Sequence, residues 1–97
     1  MTPESKVKKD IKAWLEARNI WYFMPVQSGY GKRGIPDFIA CWYGRLIGIE
    51  AKAEHGDCTA WQERCHHEIR KSGGIAIVAQ APLHLDALQE TFRAFQR

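Results

Sequence analysis

Asp37-Phe38-Ile39-Ala40-Cys41-Trp42-Tyr43-Gly44-Arg45-Leu46-Ile47-Gly48-Ile49-Glu50-Ala51-Lys52 reads as two strands folded about a tight turn. Phe38 to Trp42 and Arg45 to Ala51 are rich in Ile, Phe, Trp and Leu, and Tyr43-Gly44 between them fits a two-residue hairpin loop. With that turn, residue 42 faces 45, 40 faces 47, and Asp37 lies across from Glu50. Opposed residues have Cβ atoms about 4.5–5.5 Å apart, and two carboxylates that close repel unless a cation sits between them. Side chains alternate with period two, so Lys52 joins Glu50 on one face while Ala51 points to the other. Tyr43 is poorly suited to the positive φ of a type I′ turn, and a bulge at Gly44 would slip the pairing by one. The two acids then become diagonal neighbours that can still share an ion.

Outward from the hairpin, the remaining elements follow from periodicity and caps. Thr2 and Pro3 offer an N-cap and first-turn proline, and Val7, Ile11, Trp14 and Leu15 recur at helical spacing through about Arg18. Ile20 to Val26 reads as an aromatic-rich strand, and Gln27 to Gly34 as a glycine-rich loop. Beyond the hairpin, whose strands are apolar on both faces and so predict cover on both sides, Ala53 to Cys58 is a polar loop. Thr59 to Ser72 predicts a second helix, with Thr59 and Gln62 in capping-box spacing and Gly73-Gly74 as its stop. Ile75 to Ala79 is a short buried strand, and Pro82 opens a last helix with the stripe Leu85, Leu88, Phe92 and Phe95. The order is αβββαβα, and a right-handed crossover through helix two makes the last two strands parallel in one mixed four-stranded sheet flanked by helices.

At 97 residues the chain is expected to form one domain over 1–97. Hydrophobic content of 45% with 26% charged residues is that of a folded globule rather than a disordered chain. The longest apolar run, Ile20 to Val26, is too short for a bilayer, and no signal-peptide core follows the N-terminus, so a cytoplasmic protein without membrane association is expected. Cys41, Cys58 and Cys65 are an odd number without a Cys-x-x-Cys pair, which suits a reducing compartment. A net charge of +3 is too small to identify a nucleic-acid binder. Its distribution says more: Lys6, Lys8, Lys9 and Lys12 crowd the first helix, and Lys32-Arg33 sit in the glycine-rich loop. His55, Cys58, Cys65, His66 and His67 match no structural zinc spacing. Trp14, Trp21, Trp42 and Trp61 read mainly as core, with Trp61 in the first turn of helix two open to partial exposure.

Gly34, Pro36, Asp37, then Glu50, Ala51, Lys52, then Thr59, Gln62, then Gly73, Gly74 resemble the PD-(D/E)XK nuclease superfamily, specifically its virus-type replication-repair (VRR-NUC) branch, over nearly the whole chain. The resemblance implies a restriction-endonuclease-like fold. It implies that Asp37 and Glu50 bind Mg²⁺ or Mn²⁺ with the Ala51 carbonyl, and that Lys52 orients or activates the attacking water. Glu4 would correspond to the acid on the first helix, and Gln62 to the helix-two glutamine near the site. Each also has a local reading: Glu4 is a first-turn acid four residues before Lys8, and Gln62 the capping partner of Thr59. Relatives often carry Arg and Asn just before the Ser-Gly of the loop, where this chain has Pro25, Val26 and Gln27 before Ser28-Gly29.

The function so implied is a structure-selective DNA endonuclease acting as a homodimer on Holliday-type or branched junctions, as small, virus-type relatives do. Lys8, Lys9, Ser28, Lys32 and Arg33 are the expected DNA contacts. A monomeric flap or nicking repair nuclease, and a non-catalytic nucleic-acid-binding subunit, are the competing readings. Three acidic and basic groups at one strand pair disfavour the last, because a simple binder has no use for acids facing DNA.

Overall fold

The computed structural model describes residues 1–27 and 29–96. Its elements are α1 (Pro3–Ala17), β1 (Trp21–Phe23), β2 (Phe38–Trp42), β3 (Arg45–Lys52), α2 (Ala60–Lys71), β4 (Ile75–Gln80) and α3 (His84–Ala94). They form one mixed sheet in the order β1-β2-β3-β4, antiparallel except for the parallel pair β3/β4. The expected αβββαβα order and restriction-endonuclease-like arrangement are thus present.

The hairpin takes the first of the two registers. Phe38 pairs with Ile49, Ala40 with Ile47 and Trp42 with Arg45, without a bulge. Tyr43 and Gly44 both adopt positive φ, 49° and 81°, the signature of a type I′ turn. A left-handed tyrosine costs about 1–2 kcal/mol, which the continuous ladder and the edge-on contact of Tyr43 with Trp42, at 4.7 Å between ring centres, offset.

Period-two alternation then divides the sheet. Phe38 and Ala40 of β2 with Ile47, Ile49 and Ala51 of β3 meet Val7, Ile11, Trp14 and Leu15 of α1 and Leu88 and Phe92 of α3. Each large apolar side chain among them, fully buried, contributes about 1.5–3 kcal/mol, so this face carries the main core. The opposite face holds Gly48, Glu50 and Lys52, and α2 lies against it at the β3/β4 end, where a Cβ on Gly48 would strike Pro36 and crowd Ile69.

That second face corrects one expectation: the hairpin is not covered on both sides along its length. Towards β1 this face is open, and Trp21, Phe23, Cys41 and Leu46 are exposed. The strand expected over Ile20 to Val26 shrinks to three residues, Trp21–Phe23, whose ladder with β2 ends at the pair Phe23–Ile39. Strand β4 runs one residue further than expected, and α3 begins at His84 rather than at Pro82, which follows a cis peptide bond. Phe95, placed in the α3 stripe by its spacing, instead caps the helix and is partly exposed. Among the described residues no helix is long and apolar enough to cross a membrane.

Candidate active site

Asp37 ends the loop before β2, and one of its carboxylate oxygens is fixed by backbone. Its Oδ2 accepts a hydrogen bond of 2.9 Å from the Ala51 N–H, continuing the β2/β3 ladder one step past Phe38. In extended backbone a residue's N–H and C=O face the same neighbouring strand. The Ala51 carbonyl therefore opens on the Asp37 side, whereas the Lys52 carbonyl accepts from Ala81 on the β4 side.

Glu50, on β3, is buried, with 2% of its surface exposed. Its Oε2 accepts a 3.1 Å hydrogen bond from Gln62 Nε2 and lies 3.9 Å from the Lys52 ammonium. Its Oε1 is buried and has no hydrogen-bond partner among the described residues. Burial first, then the adjoining Asp37 carboxylate, pushes the Glu50 carboxyl up from 4.5 to about 8, against the opposing pull of Lys52. An unpartnered buried oxygen beside a second carboxylate is a site that asks for a cation.

Gln62 makes the capping box and also reaches Glu50. Its Oε1 accepts from the Thr59 N–H at 2.8 Å and the Thr59 Oγ1 accepts from the Gln62 N–H, a complete capping box. Its Nε2 remains to hold Glu50. The cap that starts α2 thus orients an acid on β3.

Helix α1 contributes the feature that spacing did not foretell. The Lys8 ammonium stands 3.5 Å from Asp37 Oδ1 and 3.6 Å from Glu4 Oε2. Burial lowers the Lys8 pKa, but Asp37 and Glu4 together hold it above its ordinary value. Lys8, expected to contact DNA, therefore sits among the acids. The i,i+4 pair with Glu4 was legible; the approach to Asp37, across 29 residues of chain, was not.

Glu4, Asp37, Glu50 and Gln62 line one cleft of about 500 Å³, with Lys32, Arg33 and Trp61 on its far wall. Lys32 pairs with Glu68 at 2.9 Å, and Arg33 lies over the Trp61 ring, 4.9 Å from its centre. Lys9 is exposed on α1. Ser28 lies outside the described residues. Among those residues no three His, Cys, Asp or Glu side chains converge on one point. A divalent ion held here would draw on Asp37, Glu50, the Ala51 carbonyl and water. Those are hard oxygen donors, and Glu50 Oε1 is already stripped of other partners, so the residues fit Mg²⁺ or Mn²⁺.

No family model matches the sequence, and no curated protein matches it. Among solved structures, one described as a VRR_NUC domain protein is similar with a TM-score of 0.76 and 17% identity, over 96% of this chain and 89% of that one. At that identity the likeness is one of backbone, and it agrees with the motif order read from the sequence: the chain has the fold of a VRR-NUC domain.

Proposed function

We propose that this protein is a Mg²⁺- or Mn²⁺-dependent DNA endonuclease that hydrolyses phosphodiester bonds at branched, Holliday-type junctions. The observation that carries the reading is the Asp37–Glu50 pair, with a buried unpartnered oxygen on Glu50 and the Lys52 ammonium beside it. Bound there, a divalent ion supplies Lewis-acid polarisation of phosphate and lowers the pKa of a coordinated water.

The chain's own groups do the rest. Ala51 N–H and Gln62 Nε2 fix the two carboxylates so that little reorganisation is needed when charge develops. Lys52 is almost fully buried, and 3.9 Å is too long for a hydrogen bond to Glu50. Its N–H donors are available to hold a water or a phosphate oxygen. Glu4, held by Lys8, steadies that lysine against Asp37 rather than opening a second ion site, which favours one ion per chain. Among the lining groups, Glu4, Asp37 and Glu50 outnumber Lys32 and Arg33 when all are ionised; a divalent ion bound there would reverse that balance and favour a phosphodiester. Lys9 on α1, and Lys32 and Arg33 on the cleft wall, then give phosphate contacts.

Cleavage of labelled four-way, flap and plain duplex DNA is expected to require Mg²⁺ or Mn²⁺, to stop in EDTA and to favour the junction. Equal cutting of all three substrates would remove the junction preference, and cutting in EDTA would remove the metal. A flap-only product would favour the repair-nuclease reading instead.

A homodimer is proposed because the open sheet face presents, in one row across three strands, Trp21, 62% exposed, then Cys41, then Leu46, 43% exposed, a patch unusual for a lone small domain. Light scattering is expected to give twice the mass of one chain, and Trp21→Glu with Leu46→Glu the mass of one. A monomeric parent at working concentration would contradict it. Free thiols at Cys41, Cys58 and Cys65 suit the reducing cytoplasm.

A further inference from the structure

Trp61 stands apart from the core tryptophans. It is 47% exposed where Trp14 is 8% exposed, and it is part of the wall of two clefts. One holds the carboxylates Glu4, Asp37 and Glu50; the other, of about 280 Å³, adds Arg64 and Glu68, and Lys32 and Arg33 line both. The indole therefore forms, with Lys32 and Arg33, the shared wall, a ridge between the carboxylate cleft and the Arg64 side.

The ridge is held in place. Trp61 lies in the first turn of α2, whose start is set by the Thr59–Gln62 capping box. Gly34, at φ +76°, presses the loop against that turn so closely that a Cβ would stand 2.1 Å from the Trp61 carbonyl oxygen. The same contact carries the adjoining Arg33, whose guanidinium covers the indole at 4.9 Å. A guanidinium and a nucleobase are both flat and both stack on an aromatic face. A base arriving on that face would take the place of Arg33 and free it for a phosphate.

We infer that Trp61 is a stacking site for an unpaired nucleobase at the cleavage point, with Arg33 as its occupant when DNA is absent. This rests on the nuclease reading above and adds to it a substrate class. Bases inside a duplex already have neighbours on both faces, so only a base at a branch, flap or gap can use the ridge. Stacking of this kind is sequence-tolerant, which fits selection by DNA shape.

The test uses splayed-arm DNA with 2-aminopurine at the first unpaired position, bound to the full chain in a Lys52→Ala background. Stacking is expected to quench the probe fluorescence, Trp61→Phe to keep most of the quench, and Trp61→Ala to lose it with binding weakened about tenfold or more. Plain duplex affinity should stay within about twofold in Trp61→Ala, which also shows that the variant is folded. In the Lys52 parent, Trp61→Ala should lower kcat/KM for splayed-arm DNA relative to nicked duplex. Unchanged quench, or equal losses on paired and unpaired probes, would overturn the inference. The fluorescence reads stacking without cleavage, so a protein that stacks the probe but never cuts would sink the nuclease reading alone.

Discussion

Lys52→Ala is expected to cut junction DNA about 10²–10⁴-fold more slowly than the parent while binding it within a few-fold. The side chain is nearly buried, yet its one close charged partner among the described residues, Glu50 Oε2, is 3.9 Å away. An ammonium placed so has donors to spend on a reacting water or oxygen. Loss of a buried cation would ordinarily strand its partner and destabilise the fold. Here it does not, because Glu50 with its pKa already near 8 takes up a proton at neutral pH. Lys52→Arg should rescue little, since a planar fork cannot occupy the place of a compact ammonium. Single-turnover cleavage and gel-shift binding separate the two effects. Activity within about threefold of the parent would show Lys52 to be a structural charge only.

Glu50→Gln is expected to abolish cleavage and, in the metal-free protein, to raise stability above neutral pH. The sign follows from linkage. In the folded chain Glu50 has its pKa raised from 4.5 to about 8, so between those values the folded state binds more protons than the unfolded one. Its contribution is complete below about pH 4.5, is lost as pH rises towards 8, and is flat beyond. Each unit of raised pKa corresponds to about 1.4 kcal/mol, giving a decline of at most about 5 kcal/mol across the window. The amide that replaces the carboxyl cannot ionise and should keep the hydrogen bond to Gln62, so the urea-denaturation curves of the variant should lack that decline. Parallel pH dependences for parent and variant from about pH 5 to 9 would show that Glu50 is not strained by Asp37 and burial. A buried acid that costs the empty fold stability at a cleft marks a site shaped for a ligand rather than for the fold.

The hairpin was the most legible part of the fold because its pattern constrains itself. Period-two alternation in Phe38–Trp42 and Arg45–Lys52 leaves one register in which Phe38, Ala40, Ile47 and Ile49 share a face, and that same register brings Asp37 to Glu50. It was strong enough to impose positive φ on Tyr43. The capping box of α2 was equally local and equally legible. What escaped the sequence was long-range. Spacing links Glu4 to Lys8 but says nothing of Asp37, which depends on the angle at which α1 crosses the sheet. Nor does a strand pattern reveal how many helices cover it, so Trp21 and Leu46 read as core and proved exposed. Trp61 was undecided for the same reason: only the seating of the Gly34 loop on α2 fixes which way the indole is left open.

Calorimetric titration of Mn²⁺ into the metal-free protein bears most directly on the pairing of Asp37 with Glu50. One ion should bind per chain, with stabilisation of the fold, and Glu50→Gln should weaken that binding at least about tenfold and lose the stabilisation. The same affinity in parent and variant would mean that the two acids, although adjacent, do not hold the ion.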